Sequence, residues 1–104
     1  MSNSQPVVAV DLDGTLMNRG RINTEVLHWI KTAKSCGWTV ILWSARGEQK
    51  AREAAKRLRV DHIFDSIIGK PTVVVDDNGW DWIRFTKVLR TIDDLEAYKP
   101  IDSL

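Results

Sequence analysis

A run of four small apolar residues near the N-terminus, Val7-Val8-Ala9-Val10, leads directly into two carboxylates, Asp11 and Asp13. Unbroken apolar runs of this length are typical of strands in parallel sheets, which are covered on both faces. Gly14 then allows the chain to turn sharply away. Because α/β proteins bind ligands at the carboxyl ends of such strands, and because two close carboxylates resist double ionisation without a cation, the run predicts a buried strand with a site at its end.

Three further polar markers follow apolar segments along the chain. An apolar segment at 38–43 precedes Ser44-Ala45-Arg46, and Lys70 follows a second one at 67–69; a third, at 72–75, is expected to be a buried strand and precedes Asp76, Asp77 and Asp81. Each marker alone has an ordinary explanation, since serine caps helices, most lysines are exposed and Asp-Asn-Gly sequences form turns. Together, and in this order, the markers favour a common site.

The remaining sequence predicts a small α/β domain. Helical spacing and capping residues predict helices over 24–36, 48–58 and 92–98, the first capped by Asn23 or Thr24 and the last by a box of Thr91 and Asp94. We also expect a short strand around 67–68 and a last strand over 82–89. The 104 residues are therefore predicted to form one domain, 1–104, a three-layer α/β/α sandwich around a central parallel sheet.

Composition narrows the setting of the protein. The formal net charge is +1, so bulk electrostatics indicates no particular partner. A single cysteine, Cys36, cannot form an internal disulfide, and the first residues lack the apolar stretch of a signal peptide. No apolar segment is long enough to cross a bilayer. We therefore expect a cytoplasmic protein without membrane contact.

The series Asp-x-Asp-Gly-Thr, Ser, Lys and Asp-Asp resembles the four motifs of the haloacid dehalogenase (HAD) superfamily of phosphatases, over about residues 7–81. The resemblance implies a Rossmann-type fold in which Asp11 forms an aspartyl-phosphate and Asp13 is the general acid and base. Ser44 and Lys70 would be donors to the transferring phosphoryl group. By the same resemblance, the phosphate and substrate contacts come from these two residues together with Gly14, Thr15, Ala45 and Arg46.

The resemblance also implies a magnesium ion. Its ligands would be the Asp11 carboxylate, the backbone carbonyl of Asp13 and Asp77, with Asp76 and Asp81 lying behind the ligands or replacing Asp77. Mg²⁺ suits such a site because it takes oxygen ligands and keeps several waters. Superfamily members that are dehalogenases or ion-pumping ATPases generally lack the second Asp of the first motif. The acid at Asp13 therefore favours phosphatase or phosphomutase chemistry.

Many superfamily phosphatases carry a cap domain inserted after the first motif or between the second and third. Only about two dozen residues fill each of these gaps here, so we expect no cap and at most a short flap over 17–23. An open site favours a large phosphorylated substrate, such as a nucleotide, a nucleic-acid end or a phosphoprotein. In an oligomer, a neighbouring subunit would instead supply the lid.

These observations predict a Mg²⁺-dependent phosphatase that hydrolyses a phosphate monoester. A phosphotransferase or phosphomutase would use the same groups and differ only in what accepts the phosphoryl group. A catalytically idle domain that keeps the fold as a binding or regulatory module is a third interpretation, since fold does not guarantee activity. A receiver domain of two-component signalling is disfavoured, because there the acidic pair precedes the phosphorylated aspartate.

Overall fold

The computed structural model describes residues 5–101, in which a parallel three-stranded sheet forms the centre of the fold. Its strands are β1 (Val7–Asp11), β4 (Thr39–Ser44) and β5 (Ser66–Gly69), in the order β1-β4-β5. Asp11 lies opposite Trp43, and Ser44 lies opposite Gly69. Because the strands are parallel, their carboxyl ends lie at one edge of the sheet. The α/β class and the parallel sheet are as predicted.

Two helices pack on the buried face of this sheet. They are α1 (Thr24–Ser35) and α2 (Glu48–Arg57), close to their predicted bounds. Apolar side chains of both helices join Val40 and Leu42 of β4 in one apolar cluster, to which the helices contribute Val26, Trp29, Ile30, Ala33, Ala51, Ala54 and Ala55. Val40 and Leu42 are fully buried. Alternate strand positions point to opposite faces, so Ile41 and Trp43 lie on the other, partly exposed face.

Local signals account for the connections. A hairpin of β2 (Met17–Asn18) and β3 (Arg21–Ile22) turns through Arg19 and Gly20, both at positive φ, as a two-residue hairpin loop requires. Asn23 caps α1 by accepting hydrogen bonds from two backbone N–H groups. The predicted capping box of Thr91 and Asp94 begins α3 (Ile92–Ala97). In the described chain, this hairpin and α1 alone separate β1 from β4, which agrees with the expected short flap.

The predicted strand at 72–75 is wrong. Residues 71–80 are all exposed, with Val75 at 96%, and no strand forms there. A parallel neighbour for β1 needs a crossover of about a dozen residues, whereas only Lys70 and Pro71 separate β5 from Thr72. The last strand predicted over 82–89 is also wrong, because a short 3-10 helix, Asp81–Phe85, occupies its first half. Within residues 5–101, no helix is both long and apolar enough to span a membrane.

Candidate active site

The two carboxylates of the first motif lie where β1 leaves the sheet. Leu12 between them is fully buried, so alternation along the chain directs Asp11 and Asp13 away from the core. A tight turn follows: the Leu16 N–H donates to the Asp11 carbonyl at 3.1 Å, and the Gly14 N–H donates to the Met17 carbonyl at 2.8 Å. Gly14 adopts a φ of 82°, which only glycine reaches without strain.

Lys70 and Thr15 hold the Asp11 carboxylate. The Lys70 ammonium lies 3.0 Å from Oδ1 of Asp11, and the Thr15 hydroxyl donates to Oδ2 at 3.1 Å. Lys70 follows β5, and its backbone N–H donates to the Ser44 carbonyl at 2.9 Å. From there its side chain passes over the Trp43 ring, with Nζ 6.0 Å from the ring centroid. Lys70 thus crosses the central strand to reach Asp11.

Arg46 forms a bidentate ion pair with Asp13. Its Nε and a terminal nitrogen donate to the two carboxylate oxygens of Asp13 at 3.0 and 3.2 Å. The Arg46 backbone N–H donates to the Ser44 hydroxyl oxygen at 3.1 Å. Ser44 is only 1% exposed and does not cap α2, whose N-cap is Gly47. The serine therefore shapes the loop that presents Arg46 and keeps its own O–H available to donate.

Each carboxylate of this pair is neutralised by its own cation, which offsets the repulsion between Asp11 and Asp13. The four charged side chains are between about a third and a half exposed, so a ligand from solvent reaches them. A phosphate group is itself an anion that pairs well with lysine and arginine. The arrangement can therefore exchange carboxylate–cation contacts for phosphate–cation contacts when a phosphorylated ligand enters. Ala45, in the loop after Ser44, is exposed at the same edge.

The carboxylates of the last motif lie in an exposed turn and at the start of the 3-10 helix that follows it. Asp76 accepts a hydrogen bond from the Asn78 N–H at 2.8 Å in an exposed turn, and Asp77 and Asp81 are exposed. No group of three or more acidic, histidine or cysteine side chains able to hold a metal occurs between residues 5 and 101. The acids of the first and last motifs therefore form no such group among the described residues. The role of Asp77 as a metal ligand stays a prediction.

The donor set at the end of β1 nevertheless fits magnesium. Mg²⁺ is usually bound by one or two carboxylates, with waters and substrate phosphate oxygens completing its octahedron. Asp11 supplies a carboxylate there, and the main-chain carbonyl of Asp13 accepts no hydrogen bond from any residue in 5–101. Two hard oxygen donors on one turn meet that modest requirement. The Asp11 carboxylate and the Asp13 carbonyl are therefore the residues that would hold the ion.

Sequence reasoning missed a groove that begins at this site. It has a volume of about 930 Å³, runs along β1 from Pro6 to Asp11, and is closed on its far side by residues 85–92. Lys70 and Trp82 also line it. The sequence carries a signal for it, because aromatic and basic residues are interspersed over 80–90, which includes the strand predicted over 82–89.

Comparison with known proteins finds one family for this sequence. The family model for haloacid dehalogenase-like hydrolases matches residues 8–90, which include every candidate site residue and all of the central sheet except Val7. No curated protein and no solved structure matches the chain.

Proposed function

Because the chain belongs to the haloacid dehalogenase-like hydrolases, we propose that it is a Mg²⁺-dependent phosphatase that hydrolyses phosphate monoesters through Asp11. One observation carries the proposal: Asp11, at the carboxyl end of the buried strand, lies 3.0 Å from the Lys70 ammonium and two residues before Asp13. A nucleophile, a neighbouring acid and a cation for the phosphoryl oxygens are the groups that phosphoryl transfer needs. A cytoplasmic setting belongs to the same proposal.

In the first step, a carboxylate oxygen of Asp11 attacks phosphorus and the bond from phosphorus to the ester oxygen breaks. Asp13, in its protonated form, gives its proton to the departing oxygen. Lys70 leaves Asp11 and donates to the phosphoryl oxygens, where charge is spread during transfer. Arg46 leaves Asp13 for the same oxygens, which frees Asp13 for proton transfer.

In the second step, Asp13 accepts a proton from a water molecule, and the oxygen of that water attacks the phosphorus of the aspartyl-phosphate. The bond between Asp11 and phosphorus breaks, phosphate departs, and Asp13 again carries a proton. The Thr15 hydroxyl, 3.1 Å from Asp11, keeps the carboxylate oriented through both steps. Mg²⁺, when bound, supplies positive charge that offsets the repulsion between Asp11 and the phosphate.

The openness of the site favours water over a second substrate as the acceptor. The side chains of Asp11 and Asp13 are 34% and 48% exposed, and no inserted domain covers them in residues 5–101. A phosphotransferase or phosphomutase must exclude water from its intermediate. The presence of Asp11, Asp13 and Lys70 together likewise argues against an idle binding module.

The proposal is tested by trapping the intermediate. With phosphate-labelled p-nitrophenyl phosphate and Mg²⁺, acid quenching should leave label on the wild-type protein that hydroxylamine removes, as it does from an acyl phosphate. Asp11→Asn should lose both label and turnover, since an amide cannot form this bond. Asp93→Asn, an exposed acid in the first turn of α3, is the matched control and should retain both. Turnover by folded Asp11→Asn would refute the assignment.

A further inference from the structure

The groove beside β1 continues directly from the candidate active site. Asp11, Thr15 and Lys70 line one end of it, and it then follows the free edge of β1 toward Pro6. β1 pairs with β4 on one side only, and no other described residue forms a backbone hydrogen bond with Val7–Val10. A ligand with its phosphate at Asp11 therefore has an open channel for the rest of its length.

Cations outnumber anions in the lining of this channel. Lys70, Lys87 and Arg90 line it, and Asp11 is the one acid among the described lining residues. Lys87 and Arg90 are exposed and form no salt bridge with another residue in 5–101, although Arg90 also interacts electrostatically with Asp94. Both side chains are therefore accessible to a ligand in the groove. Such spacing of positive charge beyond the phosphate-binding end favours a ligand that carries further negative charges along its length.

Aromatic side chains occur between these cations. Trp82 and Phe85 line the groove, and the Trp82 ring lies 6.1 Å from the Trp80 ring, which is 68% exposed. The Arg84 guanidinium lies 5.5 Å from the ring centroid of Phe85, which is also largely exposed. Exposed aromatic rings beside basic side chains are how proteins bind single-stranded nucleic acids, with bases on the rings and phosphates on the cations.

Trp82 provides a second, independent observation. Its indole Nε1 is buried from solvent, yet no residue in 5–101 accepts its hydrogen bond. The indoles of Trp29 and Trp38, by contrast, donate to the carbonyls of Tyr98 and Ile101. A buried donor without a partner is costly. Because Trp82 lines the groove, an acceptor on a bound ligand, such as a base carbonyl or a phosphate oxygen, would satisfy it.

We propose that the groove binds a single-stranded oligonucleotide and presents its terminal phosphate to Asp11. The proposal rests on the phosphatase function above and specifies its substrate class. The terminal phosphate pairs with Lys70, the following phosphates with Lys87 and Arg90, and bases stack on Trp82 and Phe85. A phosphopeptide would use the free edge of β1 as well, but it supplies neither regular negative charge nor a series of flat rings.

The test compares substrates and then variants. Kinetics are measured with p-nitrophenyl phosphate, a mononucleotide, 5′- and 3′-phosphorylated oligothymidylates, and a phosphoserine peptide. An oligonucleotide should have the highest kcat/KM, chiefly through a lower KM. Binding of a labelled oligonucleotide to Asp11→Asn, followed by fluorescence anisotropy, measures affinity without turnover. The logarithm of this affinity should fall with the logarithm of salt concentration, by about 0.7 for each phosphate that is neutralised.

Variants assign the binding to the groove. Lys87→Ala and Arg90→Ala should each reduce the salt slope by about 0.7, and Trp82→Ala should lower affinity by roughly tenfold or more. Trp82→Phe keeps an aromatic ring but removes the unpaired indole N–H, so it should lower the affinity for the oligonucleotide less than Trp82→Ala does. Lys56→Ala, an exposed cation on the outer side of α2, should leave the slope unchanged.

The outcomes separate this inference from the phosphatase proposal. Hydrolysis of p-nitrophenyl phosphate with no preference for an oligonucleotide over a mononucleotide would overturn the groove proposal alone. A phosphopeptide hydrolysed as efficiently as the oligonucleotides would overturn it too. Groove-dependent oligonucleotide binding without hydrolysis of any ester would support nucleic-acid binding here and refute the phosphatase.

Discussion

Lys70 is expected to contribute much to turnover and little to stability. In Lys70→Met the apolar stem that passes Trp43 is kept and only the ammonium is lost. Loss of a single preorganised donor to a developing oxyanion typically slows catalysis by about 10²–10³-fold. The same substitution removes an ion pair at 3.0 Å whose side chains are 39% and 34% exposed.

The stability cost follows from that exposure. Two unit charges 3.0 Å apart attract by about 1.4 kcal/mol in water, and fixing a long lysine side chain opposes this gain. Measured contributions of exposed pairs are about 0–1 kcal/mol. For a domain of this size, the melting temperature should therefore fall by no more than about 4–8 °C.

The chain offers a closely matched control. Lys34 of α1 pairs with Asp65 at 3.1 Å, with the two side chains 39% and 42% exposed. Lys34 also lies in the last turn of its helix, where a cation stabilises the helix dipole, so Lys34→Met should destabilise at least as much as Lys70→Met. Activity should show the opposite ranking, because Lys70 contacts Asp11 whereas Lys34 pairs with Asp65.

The assay pairs urea unfolding with p-nitrophenyl phosphate kinetics on the same preparations. We expect near-normal kcat for Lys34→Met and a loss of at least about 100-fold for Lys70→Met. Equal activity in the two variants would refute the catalytic assignment of Lys70. So would an unfolding free energy for Lys70→Met that falls by several kcal/mol, because the lysine would then be mainly structural.

Two further predictions concern the frame of the site. Hydrogen bonds from the Val40 N–H, and to a smaller extent from the Lys34 ammonium, hold the pKa of Asp65 below its usual value of 3.8. The ionised Asp65 therefore stabilises the fold at neutral pH, and this stabilisation is lost as the pH falls through the lowered pKa. Asp65→Asn should cost about 1 kcal/mol in urea unfolding at pH 7, and a difference from the wild type that persisted in strong acid would contradict this. A Cβ on Gly69 would lie 3.3 Å from Cα of Gly47. Gly69→Ala should therefore lower the free energy of unfolding by about 1–3 kcal/mol in the same assay. A variant as stable as the wild type would show that β5 and the start of α2 are less tightly packed.

Much of the fold was predictable because local signals agreed with it. The apolar run before Asp11, the cap at Asn23 and the box of Thr91 and Asp94 each specify an element within a few residues, without help from distant parts of the chain. The ends of the parallel strands then place Asp11 and Ser44 at one edge, and Lys70 is brought to that edge by β5.

The strand predicted at 72–75 failed because of the length of its connection to β5, not because of the strand propensity of its residues. Val73 to Val75 have strong strand propensity, and nothing in their own sequence forbids a strand. The spacing from Gly69 to Thr72 does forbid a parallel one, because three residue steps reach at most about 11 Å. The ion pair of Arg46 with Asp13 was also beyond prediction, since it depends on the side-chain direction within an exposed loop.

That same short connection links the candidate active site to the groove. To lie parallel on the free side of β1, residues 72–75 would have to pass three strand spacings, about 14 Å, and also return by about 13 Å along the strand direction. Lys70 and Pro71 are too few for this path while Lys70 stays 3.0 Å from Asp11. The contact that places the lysine in the site therefore leaves the edge of β1 uncovered within residues 5–101. An unpaired edge exposes a row of backbone hydrogen-bonding groups, so this edge is accessible to a ligand that enters the groove. The proposal of a nucleic-acid strand as this ligand rests on the basic and aromatic residues that line the groove beside the edge.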